Sequence, residues 1–279
     1  MKKIIFASLA ALSLVSPLQA QETGLLGIKG LSANVGAVSD YRFRGITQTF
    51  GNAAVQGGVD YEAGNGFYFG NWNSQIHESA GFPGGKYETD FYGGFKKKVG
   101  DVELDFGAIY YMYPGSSSNS SRYQITNGSR TFSGTVTNTE LYIGASWNWL
   151  SVKYYQALSD YFSVPDTKGT SYLDLSAKKD LGDGWALNAH VGQLRTTGFV
   201  PTVTNGVAWN YNYMDYKFGV SKELNGWTLS ASAIATSASA GACQSGLTGP
   251  YCLPNDLADQ KKFLNGGKSN IVFSAIKGF

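Results

Sequence analysis

The chain offers few side chains able to do covalent chemistry. It has two histidines, His77 and His190, and two cysteines, Cys243 and Cys252. A Ser-His-acid hydrolase needs an imidazole beside a nucleophile, and no Gly-x-Ser-x-Gly elbow is present to expose a serine. His190 lies between Asn188 and Gly192 on an alternating segment, where a lone histidine is simply a hydrogen-bonding residue. The two cysteines stand nine positions apart in the Gly/Ser/Pro-rich stretch from Ala240 to Asn255. With no histidine or third cysteine near them a metal would lack ligands, so the pair reads as a loop disulfide in an oxidising space. No phosphate loop or dinucleotide fingerprint is present, so the chain reads as non-enzymatic and without cofactors.

What remains is charge. Lysine and arginine total 22 against 20 aspartates and glutamates, and Lys2 and Lys3 belong to a leader; removing them leaves 20 against 20. A neutral mature chain disfavours nucleic acid as a partner. The leader is Met1-Lys2-Lys3, an apolar run from Ile4 to Val15, and Ser16-Pro17-Leu18-Gln19-Ala20. This is the layout of a secretory signal over residues 1–20. A short N-terminal segment, 21–30, follows, and the domain proper is 31–279.

The elements that must position the charges are strands. Val102, Leu104, Phe106, Ala108, Tyr110 and Met112 alternate with Glu103, Asp105, Gly107, Ile109, Tyr111 and Tyr113. Segments around Leu141–Trp147, Met214–Val220 and Trp227–Ala235 repeat the pattern, and none shows helical spacing. Tight turns recur at Gly64-Asn65-Gly66, Val99-Gly100-Asp101, Asn148, Gly182-Asp183-Gly184 and Asn225-Gly226. Each suits the positive φ of a hairpin. Between them lie long polar stretches at 76–86, 114–137, 160–169, 197–210 and 237–267. Short turns alternating with long loops describe an up-and-down antiparallel meander of about twelve strands, with both termini on the short-turn side.

Period two does not say which face meets water. Three features favour a membrane barrel over a soluble sandwich. The strands run to about ten residues, enough for a tilted bilayer crossing. Tyr110, Tyr113, Trp147, Trp149, Tyr161, Tyr211 and Trp227 gather near strand ends, where an aromatic girdle would sit. The chain also closes on a strand ending in Phe279. Backbone groups in lipid must all be paired, and a closed sheet is the strand-based solution. The expected fold is an all-β transmembrane antiparallel barrel with short periplasmic turns and long extracellular loops.

Ser39-Asp40-Tyr41-Arg42-Phe43-Arg44-Gly45-Ile46-Thr47-Gln48-Thr49 resembles the opening signature of the TorF-type porins, a conserved hypothetical outer-membrane barrel family of Gram-negative bacteria. Ala54–Tyr61, Gly66–Ser74, Tyr111–Gly115, Glu140–Tyr142 and the closing Val272-Phe273-Ser274 are similar as well. The resemblance implies a channel in the outer membrane and brings no agreed substrate. Phe279 resembles the signal by which the barrel-assembly machinery selects clients, although Lys277 departs from its apolar pattern. The partners this implies are outer-membrane lipid and lipopolysaccharide, that machinery with periplasmic chaperones, and small hydrophilic solutes.

Charge facing lipid costs roughly 2–4 kcal/mol per Arg or Lys at mid-membrane, so mid-strand charges should line the lumen. That places Asp40, Arg42 and Arg44 inside on the first strand. Glu88, Asp90, Glu103, Asp105 and Glu140 would form an acidic wall. Lys153, Lys178 and Lys217, with Asp174 and Asp215 among them, would stand opposite and make a transverse field, His190 also facing the lumen; simple pairing between neighbouring strands is the other arrangement. The function this implies is passive diffusion of small hydrophilic solutes through a mixed-charge lumen. The alternatives are a plugged structural or adhesive barrel and, less favoured, an outer-membrane lipid-modifying enzyme.

Overall fold

A computed structural model describes residues 24–117, 125–200, 203–204, 207–208, 210–244, 249–255 and 262–279. The signal segment 1–20 lies outside them, as do the first residues of the segment 21–30.

Twelve strands form a closed antiparallel barrel, each paired with its sequence neighbours. They are β1 (Leu31–Val38), β2 (Ala54–Glu62), β3 (Phe67–Gln75), β4 (Tyr87–Val99), β5 (Val102–Met112) and β6 (Thr137–Trp147). After these come β7 (Leu150–Ala157), β8 (Ser171–Gly182), β9 (Trp185–Arg195), β10 (Tyr213–Leu224), β11 (Trp227–Thr236) and β12 (Asn270–Gly278). The wall closes where β1 pairs with β12, from Asn34 opposite Gly278 to Val38 opposite Ser274. Every predicted tight turn joins two strands at one end, and the long connections gather at the other. At two of these turns Asn148 and Asn225 take positive φ, as such hairpins require.

The alternation resolves as an inside-out protein. Val59, Phe69, Phe91, Phe106, Leu141, Ile143, Leu175, Phe218, Leu229 and Phe273 are all exposed on the outer wall. Their strand neighbours Asp60, Asp90, Asp105, Glu140, Tyr142, Asp174, Lys217 and Thr228 face inward. A soluble protein would not expose so continuous an apolar surface. In a bilayer the same surface meets acyl chains, and the ladder leaves no backbone edge in lipid. The chain is a transmembrane β-barrel.

The aromatic girdle is smaller than the sequence suggests. Tyr110, Trp147, Trp149 and Trp227 stand exposed on the outer surface. Tyr113 and Tyr161 are instead buried inside the barrel mouth. A tyrosine near a strand end gives the same pattern whether it faces headgroups or the lumen, so only the register separates the two cases.

Candidate functional site

Eight strands leave an interior that side chains fill, while sixteen leave an aqueous channel; twelve need something more than wall side chains to close them. Here that something is the connection after β1. The sequence suggests that Asp40, Arg42 and Arg44 continue the first strand, but the strand ends at Val38. Residues 40–50 fold inward, and Arg42–Phe43 pairs with Ile46–Thr47 as a miniature hairpin. Its two turn residues, Arg44 and Gly45, have φ of 48° and 80°. Positive φ at both positions is the I′ turn that matches strand twist, and glycine takes the second at no steric cost. Gly45 also lies so close to Thr236 and Asp215 that a Cβ there would come within 2.4 Å and 2.7 Å of them.

The hairpin crosses the lumen as a strut anchored at both ends. At its base Asp40 accepts from Thr47 Oγ1 (2.5 Å), Thr49 Oγ1 (3.2 Å), Arg42 Nε (2.6 Å) and Asn270 Nδ2 (3.2 Å). Arg42 Nη1 reaches the carbonyls of Gly266 and Lys268, both at 3.0 Å, just before β12. At the tip Arg44 grips Glu140 on β6 with both terminal nitrogens, at 3.1 Å and 2.7 Å. Strand β6 stands six places from β12 in the ring of twelve, so the strut spans the barrel. Paired guanidinium–carboxylate contacts of this kind are the strongest geometry available to an arginine.

The Arg44–Glu140 pair is packed dry. Both side chains are 1 % exposed. The Arg44 Nη1 also donates to Tyr161 Oη at 2.9 Å, and the guanidinium lies 4.3 Å from the Tyr172 ring centroid and 4.8 Å from that of Phe43. Asn138 Nδ2 donates to Glu140 Oε1 at 3.2 Å. Burial is the main force that pushes the Tyr161 phenol up to about 12. Burial first, then the carboxylates of Glu88 and Asp90, raise Tyr41 at the strut base well above its usual range. Sequence reasoning missed Tyr155, Tyr161, Tyr172 and Asn138 as parts of this cradle. Inward aromatics two residues from a charge were the available signal.

Lys153, Asp105, His190, Asp174 and Asp215 form local pairs between nearby strands. Lys153 on β7 reaches back over β6 to Asp105 on β5, Nζ to Oδ2 at 2.7 Å. Gly144 lies directly between them in the register, and its missing side chain clears the path. Tyr68 Oη donates to the other oxygen of Asp105 at 2.6 Å. His190 sits between Asp174 Oδ2 (Nδ1, 3.3 Å) and Asp215 Oδ1 (Nε2, 2.8 Å). Gly192 separates those aspartates in the register. Ser176 Oγ touches His190 Nδ1 at 3.1 Å and donates to Asp174 Oδ1 at 2.6 Å. An imidazole flanked by carboxylates on both nitrogens is a clamp across three strands and is not free to serve Ser176 as a base.

Other sequence-singled residues stand apart from these clusters. Glu88 and Asp90 are fully buried on the inner face of β4. Tyr113 Oη donates to Glu88 Oε1 at 2.7 Å. Glu103 and Lys178 are half-buried toward the short-turn end, and Lys217 is opposite His190 in the register. Cys243 and Cys252 are joined by a disulfide with their Cα atoms 5.2 Å apart. Phe279 is exposed, and its backbone exchanges hydrogen bonds with Ala33 at 2.9 Å and 3.2 Å. Lys277 Nζ donates to the Asn225 carbonyl at 2.8 Å.

Residues 26–256 match the family described as "Bacterial protein of unknown function (Gcw_chp)". The chain belongs to this family. The narrower TorF-type name remains a resemblance of individual stretches. No curated protein matches the chain. Among solved structures, the KdgM porin matches at a TM-score of 0.49 and 7 % identity, covering 89 % of this chain and 98 % of that one. The NanC porin matches at 0.45 and 9 %, covering 89 % and 97 %. An outer membrane channel from Pseudomonas putida F1 matches at 0.45 and 11 %, covering 90 % and 96 %.

Proposed function

We propose that this Gcw_chp protein is an outer-membrane channel for passive diffusion of small hydrophilic solutes, gated by the strut between β1 and β2. The observation that carries the reading is that the constriction is a loop and not the wall. An eight-strand barrel closes its core with wall side chains alone. This one encloses a twelve-strand lumen lined with charge and fills it with a separate hairpin. The hairpin is held by hydrogen bonds, ion pairs and aromatic packing of Tyr41 and Phe43, none of them covalent. The pairs Asp40–Arg42, Glu140–Arg44 and Asp105–Lys153 support the mixed-charge lumen of this reading. Export through the periplasm, delivery by chaperones and the assembly machinery with Phe279 as signal, and lipopolysaccharide as the outer neighbour belong to the same proposal.

The dryness of Arg44 favours a second reading, a plugged structural barrel whose strut never leaves. One experiment separates the two. The refolded chain is reconstituted in planar bilayers beside a variant with residues 41–49 replaced by a short Gly/Ser link. A channel gives brief openings in the intact protein and sustained conductance in the variant. A silent intact protein beside a conducting variant identifies a permanent plug. Silence from both, with the variant still folded, refutes the channel reading.

A further inference from the structure

The base of the strut rests on the last long connection, the one between β11 and β12. Thr47 N donates to the Gly266 carbonyl at 3.0 Å, and Arg42 Nη1 reaches the same carbonyl and that of Lys268, both at 3.0 Å. Packing follows the hydrogen bonds. A Cβ on Gly267 would meet Ile46 Cδ1 at 3.4 Å, and one on Gly51 would meet Leu264 Cδ2 at 3.8 Å. Arg42, Ile46, Thr47 and the neighbouring Gly51 therefore all lie against residues 264–268.

Those residues belong to a second miniature hairpin, a latch. In it Cys252–Pro254 pairs with Phe263–Asn265, Cys252 standing opposite Asn265. Gly266 N donates to the Tyr251 carbonyl at 2.9 Å and closes the latch at its base. The latch is fastened in turn to the chain that runs on from β11. Gly249 N and Tyr251 N donate to the carbonyls of Ala240 and Ser239, at 3.0 Å and 3.4 Å, and Cys252 is bonded to Cys243. A path of contacts thus leads from the β11 wall through the disulfide to Asn265 and Gly266, and from there to Thr47 and Arg42. The S–S bond is its covalent cross-link. Thr236 Oγ1 also donates to the Gly267 carbonyl at 2.9 Å, so the strut base keeps a second, non-covalent hold when the cross-link is cut.

We infer that the Cys243–Cys252 disulfide is a thiol-exchange site whose redox state sets how firmly the strut is docked. The inference rests on the reading of the strut as a gate and adds its regulation. The reductant is a dithiol on the long-loop side. Its thiolate attacks the sulfur of Cys243, which is half-buried while Cys252 is buried, and forms a mixed disulfide with release of the Cys252 thiolate. Its second thiol then displaces Cys243 and closes the reductant's own disulfide. The dithiol supplies two electrons and two protons, and both cysteines end as thiols. The latch loses its cross-link, and with it the fixed seat for Thr47 and Arg42.

The test uses the full refolded barrel in detergent, with dithiothreitol as the dithiol. A short trypsin pulse reads strut docking, because the docked side chains of Arg42 and Arg44 are only 7 % and 1 % exposed and cleavage after them follows the undocked population. Dithiothreitol on the wild type should raise that cleavage by about tenfold, and Cys243→Ser/Cys252→Ser should show the same rise without reductant. Hydrogen exchange at the Thr47 amide should quicken alongside, while the Ile143 amide in the wall keeps its protection. Unchanged cleavage and unchanged Thr47 exchange, with two free thiols titrated per barrel, overturn the inference. A response to dithiothreitol that persists in the serine variant overturns it too. The reductant acts on barrels already folded, so the wild-type arm decides even where the variant folds poorly. Conductance is recorded on the same samples: a silent barrel whose strut still answers to reduction refutes the channel and leaves the latch standing.

Discussion

Replacing Arg44 with alanine tests the strut most directly. In the native protein the guanidinium makes two contacts to Glu140 and one to Tyr161, with both partners of the pair 1 % exposed. Arg44→Ala leaves Glu140 as a dry, uncompensated charge, and breaking a buried pair this way costs about 3–5 kcal/mol. At about 1.4 kcal/mol per tenfold, the docked-to-undocked ratio of the strut should fall roughly a hundredfold to a few thousandfold. In single-channel recordings brief openings should become long ones, while the wall ladder, which Arg44 does not join, keeps its heat-resistant gel migration. The double variant Arg44→Ala/Glu140→Gln removes the orphan charge and should recover part of the docked population. Open times in Arg44→Ala that match the wild type, in a folded barrel, would refute the view that this pair holds the strut.

Further predictions concern the wall, the cradle and the clamp. Phe218→Arg puts a charge on the outer face and should cost about 2–4 kcal/mol of unfolding free energy in urea titrations in lipid. Ser230→Lys, pointing inward, should cost far less; equal losses would show that the faces are misassigned. The Tyr161 phenol rises from about 10 in the unfolded chain to about 12 in the folded one. Its contribution is therefore complete below pH 10 and drains away as pH climbs through 12. Tyrosinate absorbance should show a phenol titrating near 12 together with strut release; release near pH 9 contradicts the assignment. Gly192→Ala would place a Cβ 1.9 Å from Tyr172 Oη and 2.5 Å from Asp215 Oδ2, an overpacking worth about 1–3 kcal/mol. Its melting temperature should drop more than that of Gly64→Ala, at a turn where a Cβ meets nothing.

Much of the wall could be read from residue order, because turns announce themselves locally. Gly182-Asp183-Gly184 and Asn225-Gly226 demand positive φ whatever surrounds them, and they fixed the strand boundaries. The strut was hidden for a physical reason. Asp40, Arg42 and Arg44 alternate with period two, and a hairpin folded into the lumen has the same period as a strand in the wall. The pairing of Lys153 with Asp105 was equally invisible, since it depends on a register that brings Gly144 between them. Asn138 and Tyr172 carry no charge to flag them. Their place beside Arg44 arises only once β6 and β8 have curved around the hairpin.

The seam between β1 and β12 joins residues near 34 to residues near 278 through five register pairs, against eleven along β5 and β6. Circular closure thus joins the two barrel strands farthest apart along the chain, and each keeps an unsatisfied lateral rim until they meet. Once assembled, the same short zipper is the stretch where the cylinder would split first under mechanical load.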